Sequence, residues 1–221
     1  MIDDLISMIA PHHCCGCGKT GGLLCDDCKY NIIHEPISSC IVCNRPTNSN
    51  CLCNTCEAPF NQAWVVGERN GILQRLIGLY KFERTRSAYK DLGGLLIDIL
   101  PELPSNCIVI PIPTVSSHIR ERGYDHMLLI AKYIANARNL KCRQLIYRQT
   151  NTKQRQKGAR QRMEQAKRAF GLKSDTDTNA PYLLIDDVYT TGATIKCASQ
   201  ILRKAGVKQV FVAIIARQTL D

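Results

Sequence analysis

Residues 182–194 read Y-L-L-I-D-D-V-Y-T-T-G-A-T, and the way this stretch folds organises the rest of the chain. Pro181 cannot continue an earlier element, and the apolar run Tyr182 to Ile185 is too short for a helix, so the spacing predicts a buried strand ended by two carboxylates. Thr190 to Thr194 then supply a glycine and hydroxyls where a helix should begin, and Ile195, Ala198, Ile201 and Leu202 continue at helical period. A strand, a small-residue turn and a helix N-terminus make an anion site, because backbone N–H groups converge there with the positive end of the helix dipole. A phosphate is the natural guest.

Asp186 and Asp187 narrow the guest. Adjacent carboxylates repel each other unless a cation or hydroxyl donors hold them, and a sugar cis-diol with a nearby Mg²⁺ supplies both. Four apolar residues, two acids and a T-T-G-A-T loop resemble the phosphoribosyl pyrophosphate (PRPP) motif of type I phosphoribosyltransferases. The resemblance implies that Asp186 and Asp187 hold the ribose 2′ and 3′ hydroxyls. It implies that Thr190, Thr191, Gly192, Ala193 and Thr194 cradle the 5′-phosphate, with Val188 and Tyr189 completing the PRPP-binding stretch.

At 221 residues the chain is long enough for one good core and a small module. No apolar run approaches the ~20 residues of a membrane span, and the N-terminus lacks a signal-peptide pattern, so a cytoplasmic protein is expected. Ten of the thirteen cysteines fall between Cys14 and Cys56. With nothing directing export, metal binding is a better reading than disulfides. Four C-x-x-C pairs, Cys14/Cys17, Cys25/Cys28, Cys40/Cys43 and Cys53/Cys56, each present two thiolates, enough for two Cys₄ zinc sites. Sequential pairing and a crossed arrangement both satisfy this count, and Cys15 or Cys51 are available as substitutes. The zinc is read as a structural staple. The expected division is a module over 1–60, opening with a helix that carries Ile2, Leu5, Ile6 and Ile9 on one face, and an α/β domain over 61–221.

Within that domain Trp64 to Val66 is a candidate first strand. Two helical stripes follow, one through Ile72, Leu73, Leu76, Ile77 and Tyr80, the other through Ala88, Leu92, Leu95 and Ile99, and Lys81 stands at the break, where a cation can reach a diphosphate. Cys107 to Pro111 is a core strand whose following loop carries Arg120, Arg122 and Gly123. Tyr124-Asp125-His126 then lead into a helix through Leu129, Ile130, Tyr133 and Ile134. Ligands of open α/β sheets gather at the carboxyl ends of strands, and the guanidinium fork suits a pyrophosphate, so Lys81, Arg120 and Arg122 are the candidate pyrophosphate ligands.

The order of cysteine knuckles, K-F, P-I-P, R-E-R-G-Y, R-Q-T-N-T-K-Q (148–154), Arg160, A-F and the D-D-V-Y-T-T-G-A-T loop resembles the ComF/GntX family of competence-associated phosphoribosyltransferase-like proteins. The residues after R-G-aromatic are commonly Asn-Gln in that family; here they are Asp125-His126. The resemblance implies a type I phosphoribosyltransferase fold with an N-terminal double zinc ribbon, PRPP with Mg²⁺ as ligand, single-stranded DNA in natural transformation, and other DNA-uptake or recombination proteins as partners.

Charge is concentrated. From Lys141 to Lys173 eleven Lys or Arg face a single acid, Glu164, and this excess equals the net +10 of the whole chain. Such a run points to a polyanion. Arg148, Lys153, Arg155, Lys157, Arg160 and Arg162 are the candidate nucleic-acid ligands. The run is too polar to bury itself and is expected as a loop with one exposed helix at 159–168, similar in place to the loop that closes over the diphosphate in type I phosphoribosyltransferases. Two functions follow: a scaffold that handles single-stranded DNA and retains PRPP binding, or an active enzyme moving 5-phosphoribosyl to a nitrogen acceptor. No residue of the sequence stands out as the base for such an acceptor.

Overall fold

Five parallel strands make the sheet of the computed structural model, which describes residues 12–34, 37–47, 51–149 and 170–218. They are β1 (Gln62–Glu68), β7 (Val210–Arg217), β6 (Tyr182–Tyr189), β2 (Ile108–Pro111) and β3 (Lys141–Cys142), side by side in that order. The strands are rich in Val and Ile and buried along nearly their whole length, as a parallel sheet covered on both faces requires. On one face lie helices α2 (Gly71–Lys81), α3 (Ala88–Ile99) and α5 (His126–Ala137). Leu76, Ile77, Leu92, Leu95, Ile130 and Ile134 meet Leu183 and Ile185 of β6 there. On the other face α6 (Ala193–Lys204) packs Ile195, Ala198 and Leu202 against Tyr182, Leu184, Val212 and Ile214. The expected parallel α/β sheet and the expected cysteine module in front of it are both present.

The chain leaves β2 toward β3 at one end of the sheet and leaves β6 toward β7 at the other. The crevice between the carboxyl ends of β2 and β6 is therefore the topological switch point, where open α/β sheets hold their ligands.

Two expectations need correction. The key strand does not stop at its two acids, because the parallel ladder continues through Asp186↔Ile214, Val188↔Ala216 and Tyr189↔Arg217. The segment carrying the two arginines is not a loop but a short helix, α4 (Ser116–Arg122), capped by Gly123, whose N–H bonds Ile119 O. Beside the sheet, β4 (Ile146–Arg148) pairs antiparallel with β5 (Phe170–Leu172). The helices expected at residues 1–10 and 159–168 lie outside the described residues.

The cysteine module, whose helix α1 spans Asp26–Ile33, sits against the edge strand β1 and reaches both faces of the sheet. Leu23 joins the core on the α2/α3 side, whereas Ile41 and Cys51 join the core on the α6 side. Lys29 bridges to Asp98 at 2.8 Å, and Ser39 Oγ accepts from Arg217 Nη1 at 2.8 Å. An edge strand offers an unpaired backbone row that invites a second chain, and covering it removes that liability.

Candidate functional site

Asp186 and Asp187 stand near the end of β6, where the two-residue period aims them at opposite faces of the sheet. Asp187 follows Ile185 toward the three-helix face. Its Oδ2 receives Lys81 Nζ at 2.6 Å and His126 Nε2 at 2.6 Å. Lys81 is the last residue of α2 and His126 the first of α5. Both termini are fixed from behind, since Tyr80 donates its hydroxyl to His126 O at 2.8 Å and Tyr124 donates to Tyr80 O at 2.7 Å. Arg122 completes the group: its Nε donates to Lys81 O at 2.9 Å and its Nη1 donates to His126 Nδ1 at 3.0 Å. A guanidinium can only donate, so Nδ1 is the acceptor and the imidazole proton sits on Nε2, pointing at Asp187. Asp125 caps α5, accepting from Leu128 N at 3.2 Å and from the Thr114 hydroxyl at 2.8 Å.

Asp186 follows Leu184 toward the α6 face and has neither cation against it. Burial, and then the charge of Asp187, push its carboxyl up to about 8. For Asp187 burial works in the same direction, but the His126 hydrogen bond and the Lys81 ammonium overcome it and hold the group below the usual carboxylate range. The pair is thus split into a carboxylate held ionised by its cationic partners and a carboxyl whose ionisation burial and its neighbour's charge oppose.

Beyond β6 the loop turns through Gly192, the N-cap of α6, at φ +71°. The Tyr189 ring lies against Gly192 so closely that a Cβ would collide with it, and the left-handed backbone excludes most side chains as well. Thr191 Oγ1 approaches Ala193 N at 3.5 Å. The twelve-residue helix that follows supplies the free N–H groups and dipole end of an anion site.

A 370 Å³ cavity at the switch point is lined among others by Lys81, Phe82, Arg122, His126, Arg148, Asp186, Asp187, Val188 and Thr194; of the expected phosphate cradle Thr194 lines it, while Thr190, Thr191, Gly192 and Ala193 do not. Of the three cations expected at a pyrophosphate, Lys81 and Arg122 are here. Arg120 lines an adjoining 610 Å³ cavity, together with Tyr147, Arg148 and Lys173. Among the expected nucleic-acid ligands Arg148 lies in the wall shared by the two cavities, while Lys153, Arg155, Lys157, Arg160 and Arg162 fall outside the described residues. His126 and Thr114 were not anticipated as parts of the site. The only trace in the sequence is the Asp125-His126 pair where the family commonly carries Asn-Gln. A further cavity of 430 Å³ between the cysteine module and the ends of β1 and β7 has neither paired acids nor an anion loop.

The cysteines form two groups, Cys14, Cys17, Cys25 and Cys28, and Cys40, Cys43, Cys53 and Cys56, with the sulfurs of each group within 4.8 Å of one another. The pairing is sequential rather than crossed. Tetrahedral zinc with Zn–S of ~2.3 Å separates its sulfurs by about 3.8 Å. Cys17 and Cys25 stand 3.5 Å apart and Cys43 and Cys53 stand 3.7 Å apart, so zinc fits. Amide N–H groups of Gly16, Cys25 and Val42 point at Cys14 or Cys40 sulfur at 3.4 Å, a contact that favours thiolate. Cys15 and Cys51 lie outside both groups and donate instead to carbonyls of Ile72 and Ile37.

Similarity to known proteins agrees with this arrangement. No family model matches the chain. Competence protein ComFC of Bacillus subtilis is 24% identical over 196 residues, covering 83% of this chain and 79% of its own. Competence protein F of Haemophilus influenzae is 27% identical over 227 residues, covering 93% and 95%. ComFC of Streptococcus pneumoniae is 24% identical over 192 residues, covering 85% and 84%. The chain is thus similar over most of its length to competence proteins named ComFC or F. Among solved structures, an allosteric regulatory enzyme of purine biosynthesis matches 58% of this chain at TM-score 0.44 and 19% identity, and this chain spans about a quarter (25%) of its length. Adenine phosphoribosyltransferase from Trypanosoma brucei matches 63% of this chain and 56% of its own at TM-score 0.38 and 16% identity. The fold of this chain rests on its own strand order and switch point rather than on those partial overlaps. No helix among the described residues is long and apolar enough to cross a membrane.

Proposed function

We propose that this chain is a competence protein that handles incoming single-stranded DNA in natural transformation, and that its sheet domain binds PRPP with Mg²⁺. The observation that carries the PRPP reading is the 370 Å³ cavity, in which Asp186, Asp187, Lys81, Arg122, Arg148 and Thr194 of the first turn of α6 converge at the switch point. Asp186 and Asp187 would hold the ribose diol, the loop of Thr190 to Thr194 the 5′-phosphate, and Lys81 and Arg122 the pyrophosphate. Mg²⁺ would neutralise charge on the diphosphate. Two structural zinc ions would occupy the cysteine groups. The DNA reading is supported by the competence names of the relatives and by the basic run of residues 141–173.

Calorimetry of Mg²⁺–PRPP into wild-type protein and Asp187→Ala tests the first half: saturable binding in the wild type and its loss in the variant are expected. The second half is tested by oligothymidylate affinity against salt. Contact with ~6 to 10 phosphates should cost about 10³ to 10⁵ in affinity between 50 and 200 mM salt. A flat salt response argues against a DNA interface, and an absent heat argues against PRPP.

A further inference from the structure

Binding single strands without regard to sequence takes flat aromatic faces as well as charge, because every unpaired base offers a π-face for stacking. The basic run is poor in aromatics, and Phe170 at its end is 6% exposed, its ring covered by the Arg148 guanidinium at 5.0 Å. Apart from Tyr30 on α1, the exposed large rings among the described residues are Tyr147, near the start of the run, and Phe82 outside it. Tyr147 on β4 is 45% exposed, and its ring lies across Gly171 of the partner strand, where a Cβ would collide with it. Gly171 thereby lets the ring rest flat on the hairpin. Phe82, just past α2, is 72% exposed. A large aromatic so open to water is unexplained by the packing of either core.

The two rings flank one continuous surface. Tyr147 lines the 610 Å³ cavity and Phe82 the 370 Å³ cavity, and the two cavities share Pro113, Thr114, Val115 and Arg148 as a common wall. Arg148 is fixed there by donating from Nε to Pro113 O at 2.9 Å. Arg120 and Lys173 line the Tyr147 cavity, and the one acid beside them, Asp125, is already engaged by Thr114 and the start of α5.

We propose that single-stranded DNA crosses the mouth of the phosphate cavity on this surface, with bases stacked on Tyr147 and Phe82 and phosphates held by Arg120, Arg148 and Lys173. This deepens the DNA-handling reading and rests on it. A duplex would bury its base faces against each other and gain nothing from the rings, so the surface selects unpaired strands.

The test uses full-length protein at low salt with three probes: oligothymidylate, a matched oligonucleotide whose central residues are abasic, and a duplex. Tyr147→Ala and Phe82→Ala are each expected to weaken oligothymidylate binding about 5- to 150-fold and to leave abasic binding unchanged, whereas Tyr147→Phe and Phe82→Tyr retain wild-type affinity. Because both rings are exposed, the variants should melt with the wild type. Wild-type binding of oligothymidylate that neither alanine variant weakens, or that an abasic or duplex probe equals, overturns this surface while leaving the DNA reading intact. No binding of oligothymidylate by the wild type overturns both.

Discussion

The cysteine module and the sheet domain reach order by different means. Among the described residues of the module, the buried side chains outside the two cysteine groups are Leu23, Ile41, Cys51 and Phe60, and all four are buried in cores that belong to the sheet. The sheet domain closes two cores of its own, on opposite faces of β6. A region with four such buried side chains cannot offset the entropy of ordering its backbone, whereas four sulfurs brought together around an ion can. The lesson is that one chain uses coordination where chain length is short and burial where it is long, and that function is assigned to the part that burial makes rigid.

Metal removal should break the comparison open. Structural zinc contributes apparent energies of about 10 to 16 kcal/mol per site in small modules. Chelation is expected to expose residues 12–56 to protease, while residues 62 onward keep a cooperative unfolding transition at a lowered midpoint. Within each group the thiols cannot all ionise without a cation. Burial and neighbouring thiols push Cys28 up to about 12, and hydrogen bonds that the Cys56 thiol donates to Cys43 and Cys53 push Cys56 equally far. Cysteine-to-serine exchange at Cys28 or Cys56 should therefore lower zinc stoichiometry from two to one, as read by metal analysis.

In the sheet the corresponding effect comes from packing. Leu184 is fully buried between β6 and α6, and Leu184→Ala should cost about 2 to 5 kcal/mol in denaturant unfolding with zinc content unchanged.

A smaller effect separates the two carboxylates. Asp186 has its folded value raised from 3.8 to about 8, so the stability it contributes is complete below about pH 4 and is lost as pH rises toward 8. Asp187 is depressed, and its contribution is present above about pH 4 and lost on acidification. If the ligand needs both ionised, PRPP affinity should climb from pH 6 to pH 8 and binding at pH 7 should release a proton into the buffer. Calorimetry in two buffers of different ionisation enthalpy reads this; buffer-independent heats would contradict it. The smallest effect is expected where module and sheet touch through charge alone. The Lys29–Asp98 bridge is about one-third exposed on each side, and Lys29→Ala should change the unfolding free energy by about 0 to 1 kcal/mol.

What the sequence made legible follows the same division. The strand, the loop and α6 could be read because each signal is local: an apolar run, a glycine at a positive φ and a helical period. The cysteine groups could be read because C-x-x-C spacing encodes its own geometry. His126 was opaque, since its role depends on α5 beginning beside the end of α2 and on Arg122 reaching its Nδ1, contacts that span 46 and 4 residues respectively. The β4–β5 pair was hidden for a related reason: two three-residue strands carry too little periodicity to be seen until Gly171 is found beneath the Tyr147 ring. Arg120 and Arg122 were read as equivalent because they lie two apart, yet on a helix two residues diverge by about 200°, which sends one to each cavity.

The most direct measurement of the central claim is a phosphorus NMR titration of PRPP and Mg²⁺ with zinc-loaded protein, run beside the Asp186→Ala/Asp187→Ala double variant. The account predicts that the 5′-phosphate and both diphosphate resonances shift and broaden with the wild type and stay at their free positions with the variant. Unchanged resonances with the wild type, or equal shifts with the variant, would contradict it.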